Sequence, residues 1–453
     1  MSQDSLPSPR IQVGPDSSAL KDGQAAPSSR FGFFLVVLYL AFEYGRPQDF
    51  VPLIGALRPT LIIVPLMIFT WSKSGGLRKA KSPQLTLMLL MFGLLAVHIP
   101  FAVNHYFAYV ETEGFLLDLF VCVSIILFVD TQERVLTLMG LWALLAFNIA
   151  VRTILGHGYA GSAFLDDPND VSLLLNTILP FILCMLVYER RPRYRFIYLA
   201  IALTCLGAIV SSTSRGGFVG LVAMVAVIWW ISPRKFLTLV LLCIVGIGTY
   251  LLAPQKYLDR IASIRSTDVH TTVISEDRDE GTAEGRLNSW RAAWAMFEDN
   301  PLGVGPGNFV VRFPEYQGQL FGGHGMWGRE AHSLWFTLLA ELGIPGAFLY
   351  ALIFRANWRS LRHLMKVPAD DGQNRLAPVL SVAFLAGLAG FFASGTFVSV
   401  LFYPHYWYLT AMIVATEKTL SPRVPRPTGS VASDPHRRID SAAALGAAGE
   451  SNR

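Results

Sequence analysis

The chain is poor in charge. Asp, Glu, Lys and Arg together make up only 15% of its 453 residues, against about 25% in a typical soluble domain. The shortage is also uneven, since 376–416 contains none of the four. Cysteine is scarce as well. Cys122, Cys184, Cys205 and Cys243 each lie inside an apolar run with no Cys-x-x-Cys spacing, so they read as small core residues rather than as a disulfide framework or metal site. No basic run interleaved with aromatics lies on a polar stretch, so the net charge of +5 does not point to nucleic acid. Hydrophobic residues are abundant, at 53% of the chain, and the mean hydropathy is +0.44. These values describe an integral membrane protein.

Apolar runs of about 20 residues suit membrane-spanning helices. The predicted spans are 31–43, 54–71, 85–103, 114–129, 135–154, 171–188, 196–213, 216–231, 236–253, 333–354, 377–398 and 402–416, twelve in all. The expected architecture is therefore all-α. A polar tail at 1–29 reads as disordered and not as a signal peptide. Spans one to nine occupy 30–253, a large and partly helical loop follows at 254–331, spans ten to twelve occupy 332–416, and 417–453 is a second disordered tail. Basic clusters at Lys73–Lys81, Arg190–Arg195, Arg234–Lys235 and Arg355–Arg375 then share one side with both termini. By the positive-inside rule that side is cytoplasmic, and the 254–331 loop faces outward. An outward-facing site has no ATP, so a substrate there must arrive already activated.

Four constellations carry possible chemistry. Ser211-Ser212-Thr213-Ser214-Arg215-Gly216-Gly217 joins two spans with almost no loop. Its hydroxyls can satisfy freed backbone groups and its glycines permit a tight turn. Arg215 either snorkels to lipid headgroups or forks onto a phosphate. In Glu284–Phe297, Leu287, Trp290, Trp294 and Phe297 fall on one helical face. That stripe fits interfacial anchoring, while Arg286 at the helix start can join the helix N-terminus in holding an anion; Arg291 and Asn308 are further candidates for substrate contact. Asn300-Pro301 ends that helix. The glycine-rich turn after it, Gly303 to Asn308, lacks the Lys-Ser/Thr of a nucleotide loop.

His332 enters the tenth span, where it is either structural or an acid, base or hydrogen-bond donor; His324, in a Gly-Gly-His-Gly stretch, is a weaker rival. Asp166-Asp167-Pro168-Asn169-Asp170 formally matches a diphosphate-Mg²⁺ motif, but no second acidic motif accompanies it. The alternative reading, a helix cap by Asn169 or Asp170, is preferred.

In this order the motifs resemble the O-antigen ligase and polymerase superfamily of bacterial membrane glycosyltransferases. Ser212–Gly217 resembles its arginine signature, and Gly285-Arg286, Trp290 and Asn300–Phe309 its large periplasmic loop. His332 with Leu339–Gly346 resembles its histidine segment, and Asp167-Pro168-Asn169 a further element, with Asn169 as another possible substrate contact. Ser333 stands where the family commonly has Asn. Glu43–Asp49 resembles the start of a related branch associated with exopolysaccharide and exosortase systems.

The resemblance implies metal-independent and cofactor-independent transfer of a glycan from undecaprenyl diphosphate to an acceptor hydroxyl, on lipid A-core or on another glycan or protein. The setting would be the periplasmic face of the inner membrane, amid membrane lipids. Arg215 and Arg286 would hold the diphosphate and His332 would handle the acceptor hydroxyl. One large outer loop favours a ligase over a polymerase. A flippase or transporter of lipid-linked glycans is the alternative from a different class, and neither an internal repeat nor charges paired within several spans support it.

Overall fold

The computed structural model describes residues 27–161, 165, 167–236, 239–240, 283–317, 328–368 and 375–421. Among them it is helical throughout and has no strand. The helices are α1 Pro27–Gly45, α2 Pro47–Phe50, α3 Pro52–Ala56, α4 Pro59–Ser72, α5 Gly76–Ala80, α6 Pro83–His98, α7 His105–Phe128, α8 Gln132–Leu155, α9 Pro168–Tyr188, α10 Pro192–Ser211 and α11 Arg215–Ile231. After them come α12 Ala283–Asp299, α13 Phe309–Tyr316, α14 Leu334–Met365, α15 Leu376–Gly395 and α16 Pro404–Leu420.

Six helical segments are long and apolar enough to cross a membrane: Pro83–Phe101, Gln132–Leu155, Pro168–Tyr188, Pro192–Ser211, Leu334–Met365 and Leu376–Gly395. Pro59–Ser72 and Arg215–Ile231 are shorter apolar helices. Each apolar run read from the sequence coincides with a helix except 236–253, nearly all of which lies outside the described residues, as do His324 and Asp166. Two runs differ in detail. The second breaks at Pro59, where Arg58 takes a left-handed φ of 44°. The tenth continues to Met365, so Arg355, Arg359 and Arg362 lie on a helix rather than in a loop. Arginine is a good helix former, and basic residues suit the last turn, where the helix dipole is negative.

The spans divide by burial. In α9, 78% of the apolar window is covered by protein, against 28% in α10 and 33% in α6, which puts α9 at the centre and the other two at the rim. At the centre α9, α11 and α15 pack closely through small residues, as membrane helices do when no hydrophobic effect drives them together. A Cβ at Gly220 of α11 would collide with Ser394 Oγ, and one at Gly390 of α15 would stand 2.9 Å from the Asn176 carbonyl oxygen of α9. Asn176 Nδ2 bridges all three helices, donating to Gly217 O at 2.7 Å and Ser394 Oγ at 3.3 Å. A second group, α1, α4, α6, α7, α14 and α16, packs alongside.

The two ends of the bundle are distinct. At one end Lys418 Nζ donates to the carbonyls of Lys79 and Ala80, Arg134 bonds Ser29 and Asp130, and Thr419 bonds Val129 O. The C-terminal described end therefore meets the Lys73–Lys81 loop directly, and the N-terminal one is linked to it through Arg134, Asp130 and Lys79. Helix α16 runs from there to Tyr403 at the opposite end.

Candidate functional site

Of the helices at that opposite end, three bring one of the expected residues each. Arg215 is the first residue of α11, whose cap Ser214 accepts from Gly217 N at 2.8 Å. Arg286 lies in the first turn of α12. His332 immediately precedes Ser333, which stands at the cap position of α14. All three side chains are half-buried. The three helices reach one corner, at the end of α15. A Cβ on Gly216 would be 3.1 Å from Phe397 Cβ, so Phe397 closes directly onto the arginine turn. The Phe397 ring lies 6.2 Å from Trp290, one turn beyond Arg286. Trp290 in turn stacks on Phe336 at 5.3 Å, one turn beyond His332. Trp335 Nε1 donates to Thr396 Oγ1 at 3.0 Å. The corner 394–397 thus meets the starts of α11 and α14, places where backbone N–H groups and the macrodipole favour an anion, and meets α12 through Trp290, one turn beyond Arg286.

Backbone geometry marks the same place. Thr213 (φ 51°) and His332 (φ 47°) are two of the five non-glycine residues with left-handed backbone among those described. For a β-branched residue such as Thr213 this is a genuine outlier. Strain of this kind persists where the surroundings over-determine it, often at functional sites.

The Asp-Pro-Asn element is fastened to the arginine turn. Asp167 caps α9 by accepting from Asn169 N at 2.6 Å, so the cap falls on Asp167 rather than on Asn169 or Asp170; Pro168 suits the first helical position and starts the helix earlier than expected. Asn169 Nδ2 donates to Asp167 Oδ1 at 2.7 Å, and its Oδ1 accepts from Ser214 Oγ at 2.5 Å. Ser172 and Ser212 hydroxyls meet at 2.6 Å. Asn169 therefore sets the position of the residue next to Arg215. No group of three His, Cys, Asp or Glu side chains that would hold a metal occurs among the described residues.

The helix carrying Arg286 turns its small residues inward and leaves part of the aromatic stripe outside. Leu287 and Trp294 are exposed, while Gly285, Asn288, Ser289, Ala292, Ala293 and Met296 are buried. Small side chains allow α12 to lie close on α14, and this outweighs burial of the larger aromatic stripe. Arg291 is exposed on the far side, bonded to Asn288 Oδ1 at 3.1 Å. Asn308 is fully buried. It accepts from Asn104 N at 2.7 Å and donates to the carbonyls of Asn104 and Pro306. Both ends of its amide thus tie the loop to the start of α7.

The glycine-rich turn and the Glu341-Leu342-Gly343 segment form one unit. Gly343 breaks α14 with a φ of 59°, and the turn docks into that break. Val304 N donates to Ala340 O, Gly305 N to Glu341 O and Ile344 N to Pro301 O. Side chains at Gly303 or Gly343 would strike the opposing backbone. The buried Glu341 carboxylate accepts from Gly307 N at 3.0 Å and Phe309 N at 3.1 Å. Glu341→Ala leaves two buried N–H groups unsatisfied, at about 1–3 kcal/mol each. The expected result is faster amide hydrogen exchange confined to 303–309, measured by mass spectrometry.

Beside this unit lies a cavity of about 320 Å³, reached from the His332 segment through Glu330 and Ala331 and walled on the other side by 399–403. Glu111, Glu330, Glu341 and Tyr403 supply most of its polar lining. Glu111 lies in the first turns of α7, ahead of the apolar run at 114–129; burial, and then the Glu330 charge, raise its carboxyl above the usual range. The sequence reading assigned no role to these residues. Glu341 was open to detection, since a carboxylate inside an apolar span always needs a partner. Asp118, buried in α7 and accepting from Tyr408 Oη at 2.9 Å, is a second such residue. Tyr403 carried no signal, because only the packing of 396–403 brings it here.

The O-antigen ligase family matches residues 200–351, from within α10 to within α14, and so includes Arg215, Arg286, the glycine-rich turn and His332. The search of curated proteins finds no match. The match covers less than half of the chain, so what it shows is that 200–351, with the apolar helices that carry it, is similar to the O-antigen ligase family.

Proposed function

We propose that the protein is a ligase that moves a glycan from undecaprenyl diphosphate to an acceptor hydroxyl, most simply one on lipid A-core, at the periplasmic face of the inner membrane. The observation that carries this reading is the corner at 394–397, on which the helices bearing Arg215, Arg286 and the His332 segment all pack. On the sequence reading of twelve spans, with the basic loops and both termini in the cytoplasm, that corner lies outside.

The chemistry follows from charge. As the bond from the anomeric carbon to the diphosphate oxygen breaks, the leaving undecaprenyl diphosphate gains negative charge. Two guanidinium groups and the helix N-termini stabilise that charge more in the transition state than in the ground state. Arginine suits the task because its planar fork matches phosphate oxygens and keeps its charge at any physiological pH. The acceptor hydroxyl bonds to the anomeric carbon and gives its proton to His332. No step requires a metal ion, so activity is expected to be unchanged in excess chelator.

Deleting the gene and resolving lipid A-core and undecaprenyl-linked glycans separately tests the assignment. The expected result is core without glycan, with long chains accumulating on undecaprenol. Core capped by a single repeat would instead mean a polymerase. If neither pool changes, lipid A-core is not the acceptor.

A further inference from the structure

The cavity beside His332 is not accounted for by diphosphate binding, because its charge has the wrong sign. Glu111, Glu330 and Glu341 line it, and neither Lys nor Arg does. Glu341 is held by the N–H groups of Gly307 and Phe309. Behind the wall, Asp170 is 7% exposed and its Oδ1 makes no hydrogen bond. Phe309, Phe402 and Tyr403 add flat aromatic surface. A volume near 320 Å³ is at the small end of ligand pockets, about 300–1,000 Å³, which fits the end of a glycan rather than a lipid.

Carboxylates that accept hydrogen bonds, combined with aromatic faces that pack against C–H surfaces, match the two sides of a sugar ring. Glu330, and Glu111 when ionised, repel phosphate and uronate groups, since a like charge brought into such a site costs affinity. The electrostatics therefore separate the two substrates spatially. The anionic donor group lies against the helix N-termini at the 394–397 corner. A non-anionic sugar lies on the far side of the His332 segment.

We propose that the cavity lined by Glu111, Glu330 and Tyr403 is the acceptor-sugar site, and that it selects hydroxyl-bearing sugars without negative charge, amino sugars above neutral ones. This rests on the glycan-transfer reading above. Glu111 and Glu330 are the specificity determinants, and Tyr403 is the platform.

The test uses the purified full-length protein in nanodiscs and three matched methyl disaccharides: glucosamine-terminated, glucose-terminated and glucose-6-phosphate-terminated. Calorimetric titration at low salt is expected to rank them in that order, with the phosphorylated form about ten-fold or more weaker than the neutral one. E111Q and E330Q, near-isosteric changes checked by thermal melting, are expected to narrow the gap between amino and phosphorylated sugars. Should either variant fail to fold, Ser399→Phe fills the cavity from a different wall and is expected to abolish sugar binding.

Equal or tighter binding of the phosphorylated sugar overturns the proposal, as does a ranking that E330Q and E111Q leave unmoved. A transfer assay with an undecaprenyl-diphosphate glycan separates the two readings. Transfer without charge discrimination sinks the acceptor site alone. Ranked sugar binding without transfer to any of the three sinks the transfer reading, and the acceptor role with it.

Discussion

Arg286→Ala is expected to lower the rate of glycan transfer by about 10²–10³-fold, the usual effect of removing one preorganised donor to a developing anion. Arg215→Ala is expected to fall in the same range. The Lys variants should retain part of the activity, because charge remains while the fork is lost. The double Ala variant should fall by less than the product of the single effects, since the two groups would act on one leaving group. Initial rates with a purified undecaprenyl-diphosphate glycan give all four values.

The stability of Arg215→Ala makes the test sharper. Arg215 is the first residue of α11, where a cation opposes the helix dipole by about 0.3–1 kcal/mol. Removing it should leave the melting temperature unchanged or slightly raised. A residue kept where helix electrostatics disfavour it, and whose loss harms activity and not the fold, binds something negative. An Arg215→Ala protein with full transfer activity removes Arg215 from the mechanism.

The helical frame is readable from sequence because a membrane span depends on composition over a long window. The ends of helices depend on single residues, and there the reading and the structure part. Asp167 takes the cap because Pro168 fits the first helical position. The arginines at 355–362 extend α14 because nothing in that stretch stops a helix; the expected span ended where hydrophobicity ended. The inner face of α12 is hidden in the sequence for a related reason. Periodicity finds the most apolar face, but close packing on α14 rewards the smallest one, Gly285, Ser289, Ala292 and Ala293.

The candidate site shows the same division. Arg215, Arg286 and His332 stand out as polar groups at the edges of apolar runs. The packing that links their helices does not, because it is made by Phe397, Trp290 and Phe336, which are ordinary aromatics in the sequence. The pairing of Asn300–Asn308 with Glu341–Ile344 is hidden too. It consists of backbone hydrogen bonds across a helix break that only the left-handed Gly343 reveals. Asn308 illustrates the cost: its place in a glycine-rich turn suggested a substrate contact, whereas its amide is spent on Asn104 and Pro306.

His332→Ala is expected to reduce kcat by about 10²–10⁴-fold, the range for loss of a general base. Two further variants distinguish proton transfer from positioning. Asn tolerates left-handed backbone better than most residues, so His332→Asn keeps the φ of 47° and a hydrogen-bonding amide while losing a site that takes up a proton near neutral pH. If His332 accepts the acceptor's proton, Asn should be as inactive as Ala, and added imidazole should restore part of the activity of His332→Ala alone. If His332 only orients the acceptor, Asn should recover most of the rate and imidazole should do nothing. The first pattern is expected, because His332 stands between the anion-favouring corner at 394–397 and the acidic cavity that begins at Ala331 and Glu330. A proton leaving the acceptor hydroxyl needs a carrier between those two regions, and among the described residues His332 is the one histidine of the 328–333 segment that separates them.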